Sequence, residues 1–114
     1  MGVKTYGIEK VTRCLGVSRD ELHQWVARDF FTPLHNPSRG KARRFVFDEI
    51  VYLAVCRHLR SIGFSLDDAF SLGMDVCEYK QDKCPRIIMS DEISILVDVE
   101  AIENKIRKRL SEQE

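Results

Sequence analysis

A mainly α-helical fold carrying two small β-hairpins is what this 114-residue sequence predicts, and three observations lead there. Apolar residues recur at helical spacing in five stretches. Short runs rich in β-branched and aromatic residues, bounded by turn formers, read as strands. Between them stand residues that start and stop helices: Gly16, Ser18, Gly63 and Asp98.

The length fits one domain with a small appendage, able to bury roughly two-thirds of the surface its unfolded form exposes. A content of 44% hydrophobic and 32% charged residues matches an ordinary globular chain. With 18 Lys and Arg against 18 Asp and Glu, neither a uniformly basic nucleic-acid coat nor an acidic tail is compatible with the sequence. No apolar run approaches the roughly 18 residues of a membrane span, and residues 1–6 lack a signal-peptide stretch, so the cytoplasm is the expected compartment. The four cysteines, Cys14, Cys56, Cys77 and Cys84, are expected to be reduced thiols.

Taking the elements in order, Ile8, Val11 and Leu15 define a short amphipathic helix that Gly16 ends. Ser18 then caps a second helix, with Glu21 three residues on as in a capping box. Leu22, Trp25 and Val26 form its inward stripe, which leaves Arg19, Asp20, His23, Gln24 and Ala27 outside. Two short helices joined by a tight glycine-containing turn have the layout of a helix-turn-helix.

Phe30-Phe31-Thr32-Pro33 breaks the helical pattern. A strand over residues 31–34, a basic turn and a returning strand over residues 43–47 make a β-hairpin, which in this position is a wing. Asp48 is the expected N-cap of a third helix, with Ile50, Leu53, Ala54 and Arg57 beside the stripe Val51, Val55, His58, Leu59 and Ile62. Gly63 stops it, and Ser65 or Asp67 opens a fourth helix over residues 66–72.

Charge is distributed unevenly. Residues 1–45 carry nine Lys or Arg and four Asp or Glu, a net of +5; residues 46–114 carry nine and fourteen, a net of −5. Such asymmetry marks one polyanion-facing end. The cations are densest at Arg39-Gly40-Lys41-Ala42-Arg43-Arg44, at the expected tip of the hairpin; alone, such a run is ordinarily a solvated loop. Arg19, His23 and Gln24 on the free face of the second helix can donate to phosphates or base edges. Trp25 is read as core, His58 as structural, His35 as a loop residue, and Arg57 and Arg60 rank below the hairpin as phosphate contacts.

The order Ile8, Val11, Gly16-Val17-Ser18, Leu22, Trp25, then Phe30-Phe31-Thr32-Pro33, then Arg43-Arg44-Phe45, then Gly63-Phe64-Ser65-Leu66 resembles the winged helix-turn-helix DNA-binding domain of the mercury-resistance regulator (MerR) superfamily. The likeness covers residues 6–72. Residues 18–26, with Trp25-Val26, are also similar to the excisionase-type branch. The resemblance implies that the second helix enters the major groove and that the wing touches the flanking backbone or minor groove. His23 falls where members often carry an arginine, and Arg43 matches the wing arginine before an aromatic, here Phe45. Gln24 and Trp25 stand where many members have two tyrosines. The expected DNA-binding residues are therefore Ser18, Arg19, His23, Gln24, Arg39, Lys41, Arg43 and Arg44.

A division at residues 1–72 and 73–114 follows, because Gly73 disfavours continuation of the fourth helix. Residues 86–89 and 93–97 read as a second β-hairpin. Asp98 caps a last helix with Val99, Ile102, Ile106 and Leu110 inward and Glu103 paired to Arg107. These elements cannot bury both apolar faces alone and must pack on the core or on a second copy; a homodimer is expected because the resemblance implies a palindromic operator and one small winged helix binds weakly. Cys77 and Cys84, with Asp75, Glu78 and Asp82 near them, raise a metal-sensor reading; the loose spacing and lack of a nearby histidine favour ordinary thiols, and neither metal nor cofactor is expected.

The function read from the sequence is sequence-specific binding of double-stranded DNA by a transcriptional regulator with no assigned effector. The rivals are a phage-type excisionase or DNA-packaging recognition protein, and a protein-interaction module on the same fold. The sequence holds no Gly-rich phosphate loop, nucleophile elbow or acid–base pair, so an enzyme is not expected.

Overall fold

The computed structural model describes residues 4–28, 30–31, 44–78 and 85–113. A three-residue strand, β1 (Thr5–Gly7), leads into helices α1 (Ile8–Leu15) and α2 (Arg19–Ala27). Strand β2 (Arg44–Val46) follows, then α3 (Phe47–Ser61) and α4 (Leu66–Glu78). Strands β3 (Arg86–Ile88) and β4 (Ser94–Leu96) and helix α5 (Val99–Glu112) complete the chain. No described helix is long and apolar enough to cross a membrane.

The helix-turn-helix forms where the sequence places it. Gly16, at φ 70, supplies the left-handed residue that ends α1, and its N–H donates to the Thr12 carbonyl at 2.8 Å. Ser18 then accepts the Glu21 N–H through its hydroxyl at 3.0 Å. A nine-residue helix is marginal in isolation, so α2 depends on burying Leu22 and Trp25, each worth about 1.5–3 kcal/mol.

Helix α3 is the axis of the molecule. Ile50, Leu53, Ala54 and Cys56 join a core with Val11, Cys14, Leu15, Leu22, Trp25, Phe45, Phe70, Ile106 and Leu110. Val51, Val55 and Leu59 join a second core with Ala69, Val76, Ile87 and Val99. A helix buried on both sides needs elements on both sides, and the C-terminal segment supplies some of them. Ile106 and Leu110 of α5 enter the first core; Val99 of α5 and Ile87 of β3 enter the second.

Three sequence expectations are corrected. Asp48 is not the N-cap of α3: that helix already begins at Phe47, its N-cap is Val46, and Glu49 Oε1 accepts the Val46 N–H at 2.9 Å. Ile62 does not continue the inward stripe and is 61% exposed just before Gly63, whose φ of 114 turns the chain away. Helix α4 does not stop at residue 72 but runs through Gly73 to Glu78. A Cβ at Gly73 would lie 2.7 Å from Cys56 Sγ, so this glycine permits close contact between α3 and α4 rather than ending a helix. Strand β2 pairs antiparallel with β1, Thr5 opposite Val46, Tyr6 opposite Phe45 and Gly7 opposite Arg44, a pairing the sequence did not suggest. Phe31, expected to begin the strand opposite β2, is buried outside any strand, and the rest of the expected hairpin, residues 32–43, lies outside the described residues.

The C-terminal elements follow the sequence closely. Strands β3 and β4 pair with Ile87 opposite Ile95. Asp98 Oδ1 accepts the Ala101 N–H at 2.9 Å to cap α5, and Arg107 lies 3.4 Å from Glu103.

Candidate nucleic-acid interface

The face of α2 opposite Leu22 and Trp25 is open. Ser18, Arg19 and Gln24 are exposed along it and His23 is half-buried. Asp20 and Glu21 occupy the first turn, where carboxylates favour the positive end of the helix dipole. Ser18 accepts the Glu21 N–H through one lone pair of its hydroxyl oxygen, which leaves the hydroxyl proton usable as a donor.

Arg44 stands beside this helix through the β1–β2 pairing. Its Nε donates to Thr5 Oγ1 and its Nη2 to the Thr5 carbonyl, both at 3.1 Å. The guanidinium is held by two bonds while its residue stays exposed, so it is a positioned cation rather than a waving one. A groove of about 470 Å³ brings Arg44 and Arg19 together with Lys4 and Lys10. Of the eight expected DNA-binding residues, Ser18, Arg19, His23, Gln24 and Arg44 fall among those described; Arg39, Lys41 and Arg43 lie outside them.

Lys4 and Lys10 carry no signal in the sequence that links them to this face. Each is isolated in sequence from the dense cation run, and only the pairing of two three-residue strands brings them to Arg44. Nothing in a three-residue segment such as Thr5-Tyr6-Gly7 has enough period to reveal that pairing.

Two arginines ranked lower from sequence have backbone partners. Arg57 Nη2 donates to the Gly16 carbonyl at 3.3 Å, and Arg60 Nη1 to the Phe64 carbonyl at 2.9 Å. Arg109 of α5 does the same for the Cys14 carbonyl at 2.7 Å. Arg57 and Arg109 thus satisfy carbonyls at the negative end of α1, where cations are favoured. They also crowd His58: partial burial, then the charges of Lys105, Arg57 and Arg109, hold its imidazole below the ordinary pKa of 6.5.

Two of the four cysteines are poorly placed to take a metal. Cys14 and Cys56 are buried thiols, and burial pushes Cys56 up to about 12, far from the thiolate a soft metal takes. Cys77 is half-buried near the end of α4, and Cys84 lies outside the described residues. Among the described residues no group of three or more His, Cys, Asp or Glu could hold an ion.

A family model described as MerR HTH family regulatory protein matches residues 6–70, more than half of the chain. No curated protein matches it.

Proposed function

The chain belongs to the MerR HTH regulatory family, a family of DNA-binding transcription regulators, and from that premise we propose how it engages DNA. Helix α2 enters the major groove. Arg19, His23 and Gln24 reach base edges and phosphates, with Ser18 donating at the groove wall. The segment containing Arg39, Lys41, Arg43 and Arg44 acts as a wing on the flanking backbone or minor groove. The observation that carries the reading is the pairing of a capped, open-faced α2 with an Arg44 guanidinium fixed by Thr5. Base contacts give sequence preference and the arginines give affinity.

A homodimer belongs to the same proposal. The outer face of the β3–β4 hairpin leaves Ile88 and Leu96 76% and 59% exposed, with Met89 and Ile93 beside them in the turn. A second copy related by a twofold axis would cover these side chains and present two α2 helices to a palindromic site.

The test is selection of bound fragments from random duplex DNA, followed by mobility-shift titration against salt. A recovered inverted repeat supports both parts of the proposal. Changing Arg43 and Arg44 to Ala lowers the slope of log affinity against log salt by about 2. Absence of binding to any duplex at low salt would overturn it.

A further inference from the structure

The groove beside α2 gathers four cations, and its lining differs from an ordinary solvated surface in three respects. First, its cations come from four separate places in the chain: Lys4 before β1, Lys10 in α1, Arg19 at the start of α2 and Arg44 in β2. Like charges gathered from separate segments repel one another, so their convergence is an electrostatic cost that an incoming anion relieves. Second, Arg44 is preorganised by Thr5, and its Nη1 lies 3.3 Å from the position a Cβ would take on Gly7. A side chain at Gly7 would press on the guanidinium, which packs close against the strand there. Third, Lys4 is directed over the Tyr6 ring, its Nζ 5.5 Å from the centroid, which keeps its charge at the groove.

We infer that this groove, formed by Lys4, Lys10, Arg19 and Arg44, is a second phosphate clamp that grips the DNA backbone beside the base-reading helix. The inference rests on the DNA-binding reading above and adds Lys4 and Lys10 to it. The occupant is a backbone phosphate because Arg19 opens α2 and lines the groove: an anion seated there lies next to the helix that reads bases. Arg44 contributes directed N–H donors and the two lysines contribute mobile point charges, a division suited to a phosphodiester whose oxygens change orientation along the backbone. One carboxylate, Glu9, also lines the groove. It opposes the phosphate and lowers the affinity of the clamp, which sets a second, oppositely signed test.

Three variants of the whole chain, Lys4→Gln with Lys10→Gln, Lys10→Arg and Glu9→Gln, are titrated with a mixed-sequence duplex over a range of salt. The double variant lowers the slope of log affinity against log salt by about 1 for each phosphate that is no longer neutralised, whereas Lys10→Arg keeps the slope. Glu9→Gln tightens binding about two-fold, the effect of removing one like charge roughly 8 Å away across water; a misfolded protein does not bind more tightly. If wild type binds the duplex while the double variant keeps the full slope, or Glu9→Gln fails to tighten, the clamp is overturned and the α2 reading stands. If wild type binds no duplex at low salt, both fall together.

Discussion

Replacing Gly73 with alanine tests how α4 is held against α3. In an open helix the change stabilises by about 0.8–1.0 kcal/mol, the difference in helix propensity between the two residues. Here the new Cβ would lie 2.7 Å from Cys56 Sγ, with Tyr52 Cε1 at 3.5 Å and the Cys56 nitrogen at 3.8 Å. The sulfur is buried, so it cannot swing into water. Either the helices part or a rotamer strains, at about 1–3 kcal/mol for overpacking. The expected sum is therefore between no change and a loss of about 2 kcal/mol. In a Cys56→Ala background the sulfur is gone, and Gly73→Ala should then return about 1 kcal/mol. Urea unfolding of wild type, the two single variants and the double variant closes the cycle, with an expected favourable coupling of about 1–3 kcal/mol. Equal effects of Gly73→Ala in both backgrounds, a coupling of zero, would show that the close approach does not constrain these helices.

Two further outcomes follow from charge and from exposed apolar surface. His58 titrates below 6.5 in the folded protein, so between its folded and unfolded pKa values the unfolded chain binds more protons. Its contribution to stability is thus complete above about pH 6.5 and declines as pH falls below that value. Because much of the ring is exposed, the effect is small, and an NMR titration of the imidazole measures it better than unfolding does. Lys105→Gln should move the midpoint upward; a wild-type midpoint at or above 6.5 contradicts the crowding of cations around it. For the dimer, sedimentation should give two copies for wild type and one for Ile88→Lys, with wild type monomeric at tens of micromolar counting against the hairpin face as the contact.

Where the sequence carried a local signal, the fold was legible in it. Gly16 and Ser18 mark the helix-turn-helix because a left-handed turn and a cap each require specific chemistry within three residues. Asp98 marks α5 for the same reason. The errors arose where distant residues decided the outcome. Gly73 has the local signature of a helix end, and Cys56 and Tyr52 on α3 make it an interior contact. Asp48 is a good cap by residue type, but the strand pairing of β2 lets helical geometry begin one residue before it. The candidate site divides in the same way. The open face of α2 follows from the Leu22 and Trp25 stripe, whereas the convergence of Lys4 and Lys10 on Arg44 depends on a strand pair with no periodic trace.

The two ends of the molecule are mechanically joined at the turn that aims α2. Arg57 from α3 and Arg109 from α5 donate to the carbonyls of Gly16 and Cys14, the residues that close α1 before α2 begins. Each bond links a charged donor to a helix-terminal acceptor, a class of contact worth about 1.5–3 kcal/mol at full burial and less at these partly exposed positions. Packing reinforces them: Ile106 and Leu110 of α5 share a core with Val11, Cys14 and Leu15 of α1. The net −5 of residues 46–114 therefore does not describe a detached acidic appendage. Helix α5 places two of its cations, Lys105 and Arg109, beside Arg57 and His58 around a cavity of about 140 Å³ at the end of α1. The C-terminal segment thus braces the end of α1 immediately before α2 begins, through residues more than ninety positions away in the chain.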